Sequence, residues 1–558
     1  MQQASDSGNT YGEPTRFEHV IDRVGGFGRR QFAIFMLINF GDFITSTTIM
    51  GPVFFGATPR WTCPASNWTN ETTHVLLPDS STQSLIMYSF NETAFGDAKE
   101  MLQHDSCTDN NEVCSGLQYV SDFTSIVSEW DLICGQKFVS SIITTLQMAG
   151  LLVGAFVISQ LADSFGRKPV WYAAVTLSGI ISFSSTFSPG WQVFGAMRFF
   201  TAMCSGGLII VNFVWALEFC GTKWRTLNGA IGLWVVGVLL LTLLAYTIRD
   251  WKIIMYITSL TPSLISWSFF RFLPESPRWL AMKGRLEEAK CILDAIAKNN
   301  KKEPVEMSQI QKAVEEEKQQ AAEERQYSFW DLFRTPQLSR YNVVLMFIWF
   351  VQSSTYYGLS LNVNNMPGNV YTNTALLAVV DLPVALSTLY LNNRVGRRIT
   401  YFGFMLVGGC AIFSVMFIAI SGQKESLSTL VTVLALVGKA GVAASWIASS
   451  LYAAELAPTV IRNIAFGTVS IAGRIGGIVA PQFQLLNSIS MELPYIVFGG
   501  LCLAMAFLGL LTLPETRNRP LPDALPEWSC CGRGEGHVEL AQIGEATKDG
   551  DQLNLQIS

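Results

Sequence analysis

The chain has 558 residues, of which 49% are hydrophobic and 15% are charged, and its formal net charge is −5. Soluble globular proteins carry about 25% charged residues, so this composition excludes an ordinary multidomain soluble protein and indicates a chain that lies largely in a membrane. The small net charge gives no sign of a nucleic-acid partner.

Residues 1–30 are polar and charged, and we predict that they form a cytoplasmic N-terminus. A cleavable signal peptide would carry an apolar core of about 7–15 residues near its start, and this stretch has none. The first apolar run begins near Phe32 and is expected to insert and to remain in the membrane.

Twelve apolar segments follow, each close to the length of about 20 residues that a membrane helix needs. They cover residues 31–57, 138–161, 170–188, 191–217, 228–248, 252–273, 341–362, 371–392, 399–420, 427–454, 464–486 and 494–513. The sequence therefore predicts an all-α membrane protein of twelve transmembrane helices. Its predicted parts are an N-terminal six-helix half at 31–273, a helical cytoplasmic linker at 274–340, a C-terminal six-helix half at 341–513 and a cytoplasmic tail at 514–558.

A large polar loop at 58–137 separates the first two apolar segments. It holds three N-glycosylation motifs and four cysteines, at Asn67, Asn70, Asn91, Cys63, Cys107, Cys114 and Cys134. This concentration indicates an oxidising compartment outside the cytoplasm. Four cysteines allow three disulfide pairings, and the sequence does not choose among them.

Basic residues in the short loops predict how the chain lies in the membrane. If both termini are cytoplasmic, eight Lys and Arg residues lie in short cytoplasmic loops and three lie in short external loops. The loop with the glycosylation motifs is then external, in agreement with its cysteines. We therefore expect an integral membrane protein with both termini cytoplasmic. We expect this membrane to be the plasma membrane. The sequence itself does not distinguish it from an internal membrane.

Three motifs occur twice in the same order, at offsets of 230, 237 and 240 residues. The pairs are Asp163–Lys168 with Asn393–Arg398, Glu218 and Arg225 with Glu455 and Arg462, and Pro274–Arg278 with Pro514–Arg517. Two homologous halves of membrane helices are typical of carriers that bind substrate at the shared interface and rock one half against the other. The repeat therefore predicts a transporter.

The charged residues of the repeated motifs are predicted to form a cytoplasmic ion-pair network that holds the inner gate shut. Its predicted members are Asp163, Arg167, Glu218, Arg225, Glu275, Arg397, Glu455, Arg462 and Glu515. In the second half Asn393 replaces the acid Asp163, so the latch there should be weaker. The alternative interpretation is that the basic residues only anchor the loops at the cytoplasmic surface.

The Gly-Arg-Lys and Gly-Arg-Arg loops and the run Pro274–Leu280 resemble the major facilitator superfamily. The long loop after the first helix, the aromatic run Trp349–Leu359 and the run Ala454–Asn463 are more discriminating. Together they resemble solute carrier family 22, the organic ion transporters, over residues 15–525. The resemblance is closest to the carnitine or zwitterion and organic anion types. It implies a polyspecific carrier of small organic ions that works by alternating access, without an ATP site.

Charged residues inside a bilayer are costly and indicate functional sites, and five stand in predicted helices, at Asp42, Arg198, Asp381, Lys439 and Arg474. The resemblance implies that Arg474 occupies the position that is an acid in classical cation carriers and Arg in anion and carnitine carriers. Its guanidinium can clamp a carboxylate through two bonds; the alternative is a structural pair with Asp381. Ala385 stands where anion carriers have Lys, which argues against a purely anionic site.

Aromatic side chains are predicted to supply the other part of the site, because ring faces attract organic cations. The predicted substrate-binding set is Arg474, Lys439, Asp381, Tyr356, Tyr357, Phe350, Trp234 and Trp215. A positive charge for a carboxylate, with rings and an acid for an ammonium group, suits a zwitterion such as a carnitine-like compound.

The function predicted from the sequence is therefore transport of small zwitterions or other organic ions. Organic anion exchange, organic cation uniport and a non-transporting membrane receptor are the alternatives. An enzyme is not expected, since none of the four His residues stands in a membrane segment beside a suitable nucleophile. No cofactor or metal is predicted, and the sequence does not show Na⁺ coupling or oligomeric state.

Overall fold

The computed structural model describes residues 17–62, 107, 113, 117–221, 224, 232–323, 328–421, 426–458, 461–488, 490 and 493–517. Six of the predicted site residues lie outside this part of the chain, namely Cys63, Cys114, Asn67, Asn70, Asn91 and Arg225.

The N-terminal half is built of helices that match its six predicted spans. After a short helix α1 (Phe17–Arg23), the first span consists of three consecutive pieces, α2 (Arg29–Ile38), α3 (Phe40–Met50) and α4 (Pro52–Phe55). A two-residue antiparallel pairing of β1 (Trp61–Thr62) with β2 (Gln118–Tyr119) and a short helix α5 (Ile126–Glu129) follow. The other five spans are α6 (Phe138–Phe165), α7 (Arg167–Ser185), α8 (Trp191–Leu217), α9 (Trp234–Ile248) and α10 (Trp251–Ser268).

The linker is helical, as its spacing of apolar residues predicts. It contains α11 (Pro277–Met282), α12 (Leu286–Asn299) and α13 (Met307–Glu323). Ala289, Leu293 and Ile296 form the buried face of α12 and belong to the same core as residues from the ends of the first, third and fourth spans. The linker therefore packs on the N-terminal half.

The C-terminal half repeats the arrangement. Its helices are α14 (Pro336–Leu361), α15 (Val370–Val379) with α16 (Asp381–Arg394), α17 (Arg397–Ile420), α18 (Ser428–Leu456), α19 (Arg462–Val479) with a following 3-10 segment (Ala480–Ser488), and α20 (Leu493–Thr512).

Among the described residues, nine helical stretches are long and apolar enough to cross a membrane. The other three predicted spans correspond to α7, α9 and α10. Of these, α9 is apolar but has 15 residues, and α7 begins with Arg167 and Lys168 and carries several serines. Hydropathy alone therefore understates the number of spans.

Glycines allow close contacts between helices within each half. A Cβ at Gly154 of α6 would lie 1.7 Å from the carbonyl oxygen of Met203 in α8. A Cβ at Gly441 of α18 would lie 2.6 Å from the Cα of Gly408 in α17. Small residues allow such backbone approach where lipid provides no hydrophobic drive for helices to associate.

The two halves contact each other near the end of the bundle that carries β1 and β2, which we call the disulfide end. There Asn364 Nδ2 donates to the carbonyl of Val53 at 2.9 Å, and Gln482 Nε2 donates to Thr145 Oγ1 at 2.7 Å. At the opposite end, which carries the linker, buried apolar residues of the two halves fall into separate clusters. The halves are thus joined at the disulfide end and separate at the linker end.

A disulfide bond joins Cys107 to Cys134, 27 residues apart. Of the four predicted cysteines, these two are paired in the structure, and Cys63 and Cys114 lie outside the described residues. It closes the loop beside a cluster of buried residues that includes Ile133 and Trp251.

Replacing Cys107 or Cys134 with Ser is expected to lower the free energy of unfolding by about 2–4 kcal/mol, because a disulfide restricts the unfolded chain. Thermal unfolding of the purified protein measures the loss. Both single variants and the double variant should lose the same amount, since each removes the same bond. An additional loss in the double variant would contradict this account.

Candidate functional site

Lys439 and Asp381 form a buried ion pair inside the C-terminal half. Lys439 Nζ lies 3.0 Å from Asp381 Oδ2 and also donates to the carbonyl of Leu377 in α15. The Lys439 residue is only 3% exposed. A lysine in the membrane is stable there because the carboxylate of α16 neutralises it.

Tyr356 of α14 completes this group. Its hydroxyl donates to Asp381 Oδ2 at 2.9 Å, and Lys439 Nζ lies 4.8 Å from the centre of its ring. Trp234, at the start of α9, lies beside the side chain of Tyr356. Because α9 belongs to the N-terminal half, this contact brings side chains of both halves together.

An aromatic cluster surrounds Tyr356, and its central member was not predicted from the sequence. Trp446 of α18 makes edge-on contacts with Trp349, Tyr356 and Tyr357, with ring centres 5.9, 5.8 and 6.4 Å apart. Trp446 stands seven residues after Lys439, on the same face of the helix. That spacing is the signal that could have identified it.

Arg474 lies on α19 beside Tyr357. Among the described residues, no carboxylate lies within 4 Å of its guanidinium. Asp381 is occupied by Lys439, so the pairing of Arg474 with Asp381 that the sequence left open does not occur in this structure. The partly exposed Arg474 is therefore a positive charge without an acidic partner in the part of the chain that the structure describes.

Close packing of α19 on α14 holds Arg474 near the aromatic cluster. A Cβ at Gly476 would lie 2.3 Å from the carbonyl oxygen of Phe350. The hydroxyl of Ser354 donates to the carbonyl of Gly476 at 3.1 Å. The predicted residues Phe350, Tyr357 and Arg474 are thus brought together by contacts between two helices.

Trp215 lies away from this group. Its side chain is fully buried in the core of the N-terminal half, where it packs edge-on against Trp171 at 6.1 Å. A substrate contact at Trp215 stays a prediction and would require the surrounding core to rearrange. The acid of this half, Asp42 in α3, accepts a hydrogen bond from Asn212 at 3.1 Å.

At the linker end, the N-terminal half has a charged cluster around Arg167. Arg167 Nη2 lies 3.1 Å from Glu218 Oε1 at the end of α8, and Nη1 lies 3.0 Å from Asp163 Oδ1. Glu275 accepts hydrogen bonds from the backbone N–H groups of Arg167 and Lys168 at 3.0 and 3.2 Å. This cluster joins the ends of the second, third, fourth and sixth spans.

The C-terminal half repeats the cluster around Arg397. Arg397 Nη2 lies 2.9 Å from Glu455 Oε1, and Glu515 accepts from the backbone N–H groups of Arg397 and Arg398 at 2.9 and 3.0 Å. Burial raises the pKa of Glu515, but backbone donors, including those of Arg517 and Arg397, outweigh it and bring the pKa below its ordinary value.

Seven of the nine predicted gating residues thus form two separate clusters, each within one half, and not one shared network in this conformation. Among the described residues, no ion pair within 4 Å links the halves. Nε and Nη2 of Arg462 are buried without a hydrogen-bond partner, so Arg462 does not pair with Glu455. The predicted roles of these residues in gating remain predictions.

Comparison with known proteins assigns the chain to a family. A family model described as "Sugar (and other) transporter" matches residues 81–528. An organic cation transporter protein from Drosophila melanogaster is 32% identical over 96% of this chain and 99% of its own length. Solute carrier family 22 member 7 from Homo sapiens is 32% identical over 92% and 96%. The chain belongs to solute carrier family 22.

The fold of this family member is that of the major facilitator superfamily. The xylose transporter XylE from E. coli, solved in an inward-open conformation, superimposes with a TM-score of 0.59 at 16% identity and covers 88% of this chain and 98% of XylE. The D-xylose-proton symporter gives a TM-score of 0.56 at 14% identity, with 88% and 99% covered. As a member of solute carrier family 22, the chain is an organic ion transporter embedded in a membrane and is not an enzyme.

Proposed function

We propose that this transporter carries small zwitterions, such as carnitine-like compounds, by alternating access between its two halves. The observation that carries the proposal is the partly exposed Arg474, which has no acidic partner among the described residues and lies beside the aromatic cluster. A guanidinium in this setting binds a carboxylate through two parallel hydrogen bonds.

The aromatic cluster supports a cationic group on the same solute. Tyr357 lies beside Arg474, and Trp446 contacts Tyr357. Both rings are partly exposed, and a ring face attracts an organic cation by roughly 0.5–2 kcal/mol. Asp42 of the N-terminal half is a membrane carboxylate without a cation within 4 Å among the described residues. It provides an acid for an ammonium group.

The contacts between the halves support the transport cycle. The halves meet at the disulfide end and separate at the linker end, which places the linker end on the open side. With the linker in the cytoplasm and the disulfide loop outside the cell, this conformation faces inward. In the outward-facing conformation, the clusters around Arg167 and Arg397 approach each other as the halves rock.

Organic anion exchange is the second candidate function. In its favour, Lys439 and Tyr356 both contact Asp381, so that this acid is not free to bind an ammonium group. If Arg474 alone binds the solute in the C-terminal half, the solute needs a carboxylate. It does not need a cationic group.

Uptake into cells of labelled carnitine, a labelled monocarboxylate and a labelled quaternary ammonium ion distinguishes these functions. In Arg474→Ala we expect carnitine uptake to fall at least about tenfold, because a charge-assisted hydrogen bond contributes about 1.5–3 kcal/mol. Arg474→Lys should recover part of it, and exposed Arg394→Ala is the matched control.

The wild-type pattern decides between the candidates. Uptake of carnitine above both single-charge probes supports the zwitterion carrier. Uptake of the monocarboxylate alone supports anion exchange, and uptake of the quaternary ammonium ion alone supports cation uniport. Binding without accumulation in proteoliposomes would leave the receptor alternative. Equal carnitine uptake by wild type and Arg474→Ala would refute the role of Arg474.

A further inference from the structure

The N-terminal half contains a second membrane cation, Arg198 of α8, whose surroundings differ from those of Lys439. Arg198 is 2% exposed. Its Nε donates to Gln147 Oε1 at 3.0 Å, and its Nη2 donates to the same oxygen at 2.6 Å and to the carbonyl of Thr48 at 2.7 Å. All of these acceptors are neutral.

These hydrogen bonds therefore do not neutralise the positive charge of the Arg198 guanidinium. Among the described residues, no carboxylate lies within 4 Å of it, and its Nη1 donates no hydrogen bond. In the C-terminal half the comparable cation Lys439 has Asp381 as counter-ion. An uncompensated buried charge in a membrane protein is costly and indicates a ligand or a functional role.

A cavity opens beside Arg198, between α3, α7, α8 and α10. Its lining includes Arg198, Ser178 and Ser182, and no Asp or Glu among the described residues. The hydroxyls of Ser178 and Ser182, one turn apart on α7, have no hydrogen-bond partner among the described residues. By contrast, the lining hydroxyls of Thr48 and Thr258 already donate to backbone carbonyls.

The cavity thus presents three unpaired donors and one positive charge. Its volume is about 30 Å³, and a water molecule needs roughly 10–15 Å³ measured in the same way. The cavity therefore has room for a small ion. The ring of Phe55 lies 5.0 Å from the guanidinium carbon and covers one face of it.

We propose that this cavity is a binding site for a small monovalent inorganic anion such as chloride, held by Nη1 of Arg198 and the hydroxyls of Ser178 and Ser182. The anion neutralises Arg198 and links α7 to α8 near the disulfide end. The site is separate from the aromatic cluster and does not depend on which organic ion the transporter carries.

Thermal unfolding of the purified full-length protein in sodium chloride and in sodium gluconate, at equal concentrations, tests the site. A ligand at ten times its dissociation constant multiplies the ratio of folded to unfolded protein by about 11. We expect chloride to raise the unfolding temperature of wild type above its value in gluconate. In Ser178→Ala/Ser182→Ala, the chloride concentration that gives the same rise in unfolding temperature should be at least tenfold higher.

Two further variants locate the effect. Ser185→Ala removes a buried hydroxyl of α7 that donates to the carbonyl of Ser182 and does not line the cavity, so it should titrate with chloride as wild type does. Arg474→Ala should also keep the chloride effect, which excludes the proposed substrate site as its origin. Equal stability of wild type in the two salts, or an unchanged titration in the double serine variant, would overturn the proposal.

Discussion

Replacing Lys439 with Met is expected to lower the free energy of unfolding by about 3–5 kcal/mol, because it leaves Asp381 as an uncompensated carboxylate inside the membrane. The double variant Lys439→Met/Asp381→Leu should be more stable than Lys439→Met alone. Removing both charges also removes the cost of taking them out of water, which the attraction between them offsets only in part.

A double-mutant cycle on the thermal unfolding of purified protein measures this coupling. The two single variants and the double variant should depart from additivity by more than about 1 kcal/mol. Additive losses would show that Lys439 and Asp381 do not stabilise each other, despite the 3.0 Å between them.

The same change is expected to alter selectivity. Lys439→Met frees Asp381, which the hydroxyl of Tyr356 then contacts alone, so a carboxylate faces the aromatic cluster without a counter-ion. The ratio of quaternary ammonium uptake to monocarboxylate uptake should rise in Lys439→Met and return toward the wild-type value in Lys439→Met/Asp381→Asn. A ratio that stays constant would place Asp381 outside the substrate path.

The repeated motifs predicted much of the fold because homologous halves repeat their contacts. Arg167 with Glu218 and Arg397 with Glu455 stand at corresponding positions, and both pairs form. The sequence could not show that each pair stays within its own half. Different helix ends approach each other in different conformations of the transport cycle. The same sequence adopts all of these conformations, so it does not indicate which contacts form in one of them.

The aromatic residues of the site were predicted less well, for a physical reason. A large ring in a membrane helix produces the same apolar signal whether it faces lipid, the protein core or a cavity. Trp215, a predicted site residue, is buried against Trp171, whereas Trp446, which was not predicted, contacts both Tyr356 and Tyr357. Charged residues were easier to identify, since a charge is costly inside a membrane and is therefore rare in membrane helices.

The two linker-end clusters differ in one acid, because Asn393 stands in the second half where Asp163 stands in the first. The sequence predicted that the second cluster would be weaker for this reason. Asp163 pairs with Arg167, but its side chain is 71% exposed, and exposed ion pairs contribute about 0–1 kcal/mol. The central pair of Arg397 with Glu455 is 16% exposed on both sides, and Thr516 donates a further hydrogen bond to Glu455. Replacement of the acid by Asn393 should therefore weaken the second cluster only slightly.

Replacing Arg397 with Ala is expected to destabilise the transporter by about 3–5 kcal/mol, since it leaves the mostly buried Glu455 without its cation. Arg394→Ala is the matched control, because Arg394 lies in the same basic loop, is exposed and forms no ion pair within 4 Å among the described residues.

If the loop only anchors the chain at the membrane surface, the two variants should lose similar stability. If Arg397 joins helix ends, its variant alone should lose stability, and Arg397→Gln/Glu455→Gln should recover part of the loss. Thermal unfolding of the purified variants, measured beside their uptake, separates the two interpretations, and equal losses in Arg397→Ala and Arg394→Ala would rule out the structural role.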